Sequence, residues 1–276
     1  MYQLHFFDTY SKDFFLSEVC VQTCHPIQER RFVMKKLILL LLFIPLFSCT
    51  TTASFDRAVD DASVVEPKDV YTRLVPVRKD NPALVWNRDG TRVLVVMWKS
   101  RDSYNRFYKG RTHTDPSQDY VTWVTTAPQV REFGKRFLGS NPGKGLPALE
   151  LRLKQYLGLK PEWTYDLFIE LWVDPKDMFR PCVDPGIDDD RCNIEFSDPV
   201  PEVDNISCYP CFYKNLYFQD FRTRPGIPWT GMGYTYDWGN PEHHFGASEF
   251  ILVPGAAYEI RQVKETLNYF TDRSEP

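Results

Sequence analysis

Four cysteines crowd one stretch of the chain: Cys182 and Cys192 bound the loop CVDPGIDDDRC, and Cys208 and Cys211 lie in CYPC. Cysteines at such spacing pair as disulfides, hold zinc as thiolates, or exchange electrons with other thiols. Two disulfides are the simplest expectation in an exported chain. A Cys182–Cys192 bridge would then contribute about 2.5–3 kcal/mol by closing its loop, and pairings across to Cys208 and Cys211 are equally allowed. CYPC has the C-x2-C spacing of a four-thiolate zinc site, but the other two cysteines stand nine residues apart instead of two to four. A redox C-x-x-C needs a strand before it and a helix after it, and the flanks DNIS and FYKNLYFQ spell neither. The acidic residues Asp184, Asp188, Asp189, Asp190 and Glu195 offer carboxylates to calcium. They lack the glycine placement and alternation of an EF-hand loop, so a solvated, disulfide-bounded turn is expected and no metal site is assigned. His243 and His244 are adjacent; on a strand they would point to opposite faces and could not readily share one ion. No G-x-S-x-G, H-E-x-x-H or phosphate-binding glycine loop occurs.

The stretch MKKLILLLLFIPLFSCTTT, 34–52, places two lysines before eleven apolar residues, Leu37 to Phe47. A membrane-spanning helix needs roughly 20 residues, and Pro45 disturbs this run. Basic, then apolar, then small residues is the order of a secretory signal. Leu46-Phe47-Ser48-Cys49 resembles the lipobox of bacterial lipoproteins. The resemblance implies that residues 34–48 are removed as a signal peptide and that Cys49 carries a diacylglyceryl group, with palmitate-type acylation of the new amino terminus. Met34 begins a signal of ordinary length, so residues 1–33 read as an extension upstream of the true start. From Cys49 onward there are 28 Lys or Arg and 33 Asp or Glu, a balance unlike the basic footprint of a nucleic-acid-binding protein. The expected partners are a membrane, through the lipid, and an envelope glycan or protein.

For such a partner, the segment IPWTGMGYTYDWGNP (227–241) offers Trp229, Tyr234, Tyr236 and Trp238, flat rings beside Asp237 and Asn240. Rings with carboxylates suit sugars, although aromatic stripes more often pack a core. A second resemblance crosses the chain. VYTRL supplies Arg73, WVTTAPQVREF supplies Thr125 and Thr126, and SEFILVPGAAYEI supplies Glu249. An early Arg, a Ser/Thr pair before a helix and a late Glu resemble the ADP-ribosyltransferase superfamily. That resemblance implies NAD as the bound nucleotide, with Arg73 on its diphosphate and Glu249 beside a ribosyl cation. Read without it, Thr126 caps a helix, Arg73 is an exposed strand residue and Glu249 opens a hairpin. The leading expectation is a non-catalytic envelope protein that binds or scaffolds; the enzyme is the alternative.

These residues need a frame. Residues 49–69 are polar and read as a lipidated tether. Strands are predicted over 70–77, 91–98, 119–125 and 164–173 from alternating or continuous apolar runs. Between them, Thr126 and Gln129 spell a capping box for a helix that ends at Gly139, and 147–157 spells a second helix. Residues 248–263 read as a hairpin turning at Pro254-Gly255. The fold expected is α+β: one strand-dominated domain over 70–270, two short helices, a long irregular insertion holding the cysteines, and a tail at 271–276.

Overall fold

The computed structural model describes residues 51–222 and 226–272. The stretch read as a signal, the lipobox-like residues 46–49 and most of the tail lie outside these. Among the described residues, helix α1 covers residues 51–62. It is followed by β1 (Val93–Lys99), α2 (Arg101–Phe107), β2 (Thr122–Thr126), α3 (Ala127–Ser140), α4 (Leu146–Tyr156) and β3 (Leu167–Val173). Then come β4 (Met178–Phe179), α5 (Tyr209–Arg222), β5 (Tyr234–Tyr236), β6 (Phe245–Leu252), β7 (Tyr258–Glu265) and α6 (Thr266–Thr271). The result is a strand-dominated α+β fold.

The strands form one antiparallel sheet in the order β4-β6-β2-β1-β3-β7, and β5 also pairs with β6. Central strand β1 is buried on both faces because its apolar run is unbroken; Val93 to Val95 have no exposure. Side chains alternate along the strands. Leu94, Val96, Trp98 and Phe168 pack beneath α3, α4 and α6. Val93, Val95, Met97, Ile169 and Leu171 pack on the other face with Phe250 and Leu252, closed by Tyr209, Phe212 and Leu216 of α5.

Several elements differ from the sequence reading. The 248–263 stretch does turn at Gly255, whose φ is +77°, but β6 and β7 do not pair, because β2, β1 and β3 lie between them. On a flat sheet those four spacings would span about 19 Å. A link of residues 253–257 that contains a turn covers this only because the sheet curls. Residues 70–77 form no strand. Leu74 and Val77 bond to the carbonyls of Asp190 and Ile187, and Val75 to Ser248, so this segment clamps the cysteine loop to β6. Thr126 is the N-cap residue of α3 but makes no side-chain cap; Gln129 instead accepts from the Ser248 amide. The insertion contains α5 and β5. The polar stretch read as a tether is helical over 51–62, with Phe55, Ala58, Val59 and Ala62 buried against Tyr236 and Trp238.

Both disulfides are local, Cys182–Cys192 and Cys208–Cys211, which removes the four-thiolate zinc alternative and the crossed pairings. Arg180 fills the loop of the first. Its guanidinium, without exposure, donates to the carbonyls of Asp189 (2.8 Å), Gly186 (3.2 Å) and Val75 (3.3 Å) and pairs with the Asp189 carboxylate. The acidic loop is thus wound around an internal cation. Among the described residues no three His, Cys, Asp or Glu side chains converge on a metal-sized site.

Candidate functional site

The polar and aromatic groups of the 227–241 segment meet α1. Strand β5 sends Tyr234 and Tyr236 to one side. Tyr236 donates to Asp61 Oδ2 of α1 (2.7 Å), and Tyr234 donates to the Asp69 carbonyl (3.0 Å). His244 stacks on Tyr236, with ring centroids 4.6 Å apart and nearly parallel planes. Its Nε2 lies 3.3 Å from the Tyr234 hydroxyl and 3.5 Å from Asp69 Oδ1. The cleft lined by these groups measures about 10 Å³. That is the space of about one water molecule, and the hydrogen bonds and ring stacking of this histidine–aspartate–tyrosine cluster tie β5 to α1 and to the Asp69 segment.

Beside it, on the outer flank of α1, a groove of about 650 Å³ runs between the helix and the end of α4. Arg57, Asp60 and Asp61 form one wall, and Gln155 and Pro241 form the other. Tyr236 and Trp238, only 4% and 2% exposed, also line it, and we call them its floor. Its volume falls within the roughly 300–1,000 Å³ of small-molecule sites. The floor is rigid for identifiable reasons. Trp238 donates to the Leu159 carbonyl (3.1 Å) and meets the Phe55 ring edge-on. Asp237, nearly fully buried, receives a two-pronged grip from Arg152 (2.8 and 2.6 Å). Gly239 packs against Gln155; a Cβ there would approach its Oε1 to 2.5 Å.

The four rings expected to offer a contact surface are therefore packed: Trp229, Tyr234, Tyr236 and Trp238 are between 1% and 4% exposed. Trp229 and Tyr234 lie outside the groove. The ADP-ribosyltransferase-like set is brought together only in part. Thr125 stands directly opposite Glu249 across β2 and β6. Thr126 is fully buried with an unpartnered hydroxyl, whereas Arg73 is exposed on the segment clamped to β6. None of Arg73, Thr126 and Glu249 lines either cavity. The groove residues on α1 were missed because the stretch was read by its polarity. Phe55, Ala58, Val59 and Ala62 recur at i, i+3, i+4 and i+7, and that period is the signal of a helix with one buried face.

Burial is the first cause that holds the tyrosine protons in this body. It raises the phenols of Tyr156, Tyr165, Tyr209, Tyr234, Tyr236 and Tyr269, and pushes Tyr213 up to about 12. For Tyr234 and Tyr236 the nearby Asp61 and Asp69 charges add to it. In the unfolded chain each phenol loses its proton near pH 10. Above that pH the unfolded state binds fewer protons, so stability falls as pH rises, by roughly 1.4 kcal/mol per pH unit for each such ring. The expected result is cooperative alkaline unfolding, with the phenolate absorbance of these rings appearing together with the loss of folded circular dichroism. Phenolate absorbance that develops fully while the fold persists would contradict the packing described.

No protein-family model, curated protein or solved structure matches the chain.

Proposed function

We propose that this chain is an exported bacterial lipoprotein, held to a membrane of the cell envelope through Cys49, whose groove on α1 has a non-catalytic binding role. The observation that carries the reading is the pair of disulfides in a chain whose leader has the order of a secretory signal; disulfides persist in oxidising compartments and are rare in the cytosol. The groove on α1 supports the binding half. It begins at Thr51, two residues beyond Cys49, so its mouth would lie at the anchored end of the body. Arg57, Asp60, Asp61 and Gln155 supply donors and acceptors along its walls, and Tyr236 and Trp238 supply an apolar floor. That combination suits a hydroxyl-rich ligand such as a segment of envelope glycan.

The test of the anchor is incorporation of labelled palmitate in a bacterial host. The native chain is expected to take up label and sediment with membranes, and Cys49→Ser to do neither; an unlabelled native chain would overturn the anchor. The groove is tested by titrating soluble glycan fragments into the purified chain beside an Arg57→Ala/Gln155→Ala variant. Binding that survives both substitutions would place the ligand elsewhere.

A further inference from the structure

We propose that Cys208–Cys211 is a redox-active disulfide that exchanges with cysteine thiols of other exported polypeptides, while Cys182–Cys192 is structural. The two bridges sit in opposite environments. Cys182 and Cys192 are 0% and 1% exposed, wrapped with the loop around Arg180. Cys208 is half-buried and Cys211 is exposed. Of the strand before and the helix after that a redox C-x-x-C calls for, the fold supplies the helix, α5, which starts at Tyr209; the residues before Cys208 form only an isolated Val203–Ile206 bridge. Cys208 stands where the N-cap belongs. Its carbonyl accepts the first helical bond, from the Phe212 amide (2.9 Å), and its Sγ accepts from the Cys211 amide (3.3 Å). One of the free amides of the helix start is thus aimed at Cys208 sulfur, and the positive end of the helix dipole favours a thiolate there. Tyr209, between the two cysteines, is buried, and its hydroxyl bonds the Arg180 and Cys182 carbonyls. The structural bridge and its loop therefore anchor the helix start and keep CYPC at the surface.

These positions assign the steps. An incoming thiolate attacks Cys211 Sγ, the more exposed sulfur, and the Cys208–Cys211 bond breaks. Cys208 leaves as a thiolate held by the Cys211 amide and the helix end, and a mixed disulfide remains on Cys211. A second thiolate of the partner attacks its own bridged sulfur and releases Cys211. Two electrons have moved: the partner's dithiol is now a disulfide, and Cys208 and Cys211 are thiols. The reverse sequence reduces a partner disulfide. The choice of exported partners rests on the export proposed above, but neither direction of exchange depends on the anchor at Cys49 or on a ligand in the groove.

The experiment treats the oxidised, purified full chain with glutathione, quenches with iodoacetamide and reads each cysteine by peptide mass spectrometry. Cys208 and Cys211 are expected to open at least about tenfold faster than Cys182 and Cys192. Cys208→Ser, treated instead with oxidised glutathione, is expected to exchange at Cys211, releasing one reduced glutathione and accumulating the mixed disulfide, because no Cys208 thiol is left to resolve it. In the reduced chain, Cys208 is expected to alkylate about tenfold faster than Cys211 at mildly acidic pH, where only a stabilised thiolate reacts. A merely exposed structural bridge would open readily without that asymmetry. Equal alkylation of Cys208 and Cys211, or opening of both bridges at one rate, overturns the proposal. The Cys208→Ser/Cys211→Ser variant, melted beside the native chain, separates exchange from folding. It is expected to melt as the native chain does, and collapse of its fold would make the bridge structural.

Discussion

Glu170→Gln is expected to lower the unfolding free energy by about 3–5 kcal/mol, the cost of removing one partner from a buried charge pair. Glu170 lies on interior strand β3, between β1 and β7, with no exposure, on the face covered by the helices. Three elements converge on its carboxylate. Arg131 from α3 and the Tyr269 hydroxyl from α6 (2.8 Å) reach one oxygen. Arg261 (2.8 Å) and Gln262 (2.6 Å) from β7 reach the other. Glutamine keeps the volume and can accept some of these bonds, but it removes the charge facing two guanidiniums whose side chains are only 16% and 23% exposed. The loss thus reports desolvated charge and not a cavity. Urea denaturation should show a lower midpoint with an unchanged slope; a midpoint within the error of the native chain would contradict the network.

The second large effect is expected at Arg180. Arg180→Met keeps an unbranched apolar chain of similar reach but strips the donors from the carbonyls of Val75, Gly186 and Asp189, while the Asp189 carboxylate, 43% exposed, is left to water. The expected cost is about 1–3 kcal/mol for each carbonyl left without a donor, with the loop 182–192 losing amide-exchange protection first. The disulfide at its ends contributes about 2.5–3 kcal/mol by loop closure. Both devices order the same thirteen-residue stretch, 180–192, so combining Arg180→Met with Cys182→Ala/Cys192→Ala should cost less than the separate losses together. Full additivity in a denaturation cycle would show that the arginine and the bridge hold different parts of the fold.

The frame was legible wherever an apolar period ran long enough to outvote its neighbours. β1, β2, β3, α3 and α4 appear close to the expected bounds, because LVVMW, TWVTT and LFIEL carry the sheet core and Leu149 and Leu153 repeat at one turn. The misses share a physical cause: local signals that a distant contact overrides. Residues 70–77 have strand composition but find the cysteine loop as a partner. Gln129 could close a capping box, yet it serves the amide of Ser248, 119 residues away. Pro254-Gly255 makes its turn, and sheet curvature sends the chain to the far edge. α5 was hidden by its aromatics, since Tyr209, Phe212, Tyr213 and Leu216 read as irregular until α5 has a sheet face to cover. At the candidate site the sequence showed the rings but not their burial. Tyr236 and Trp238 are core residues that also line the groove, and only the period in Phe55, Ala58, Val59 and Ala62 pointed to the helix that covers them.

The central claim is that the mature chain begins at an acylated Cys49. Its most direct test is the mass of the amino-terminal peptide of the protein extracted from bacterial membranes. A lipid-anchored chain yields a peptide that starts at Cys49 and carries a thioether-linked diacylglyceryl group, and this is the expected result. An unmodified peptide running through Phe47-Ser48-Cys49-Thr50 would contradict it.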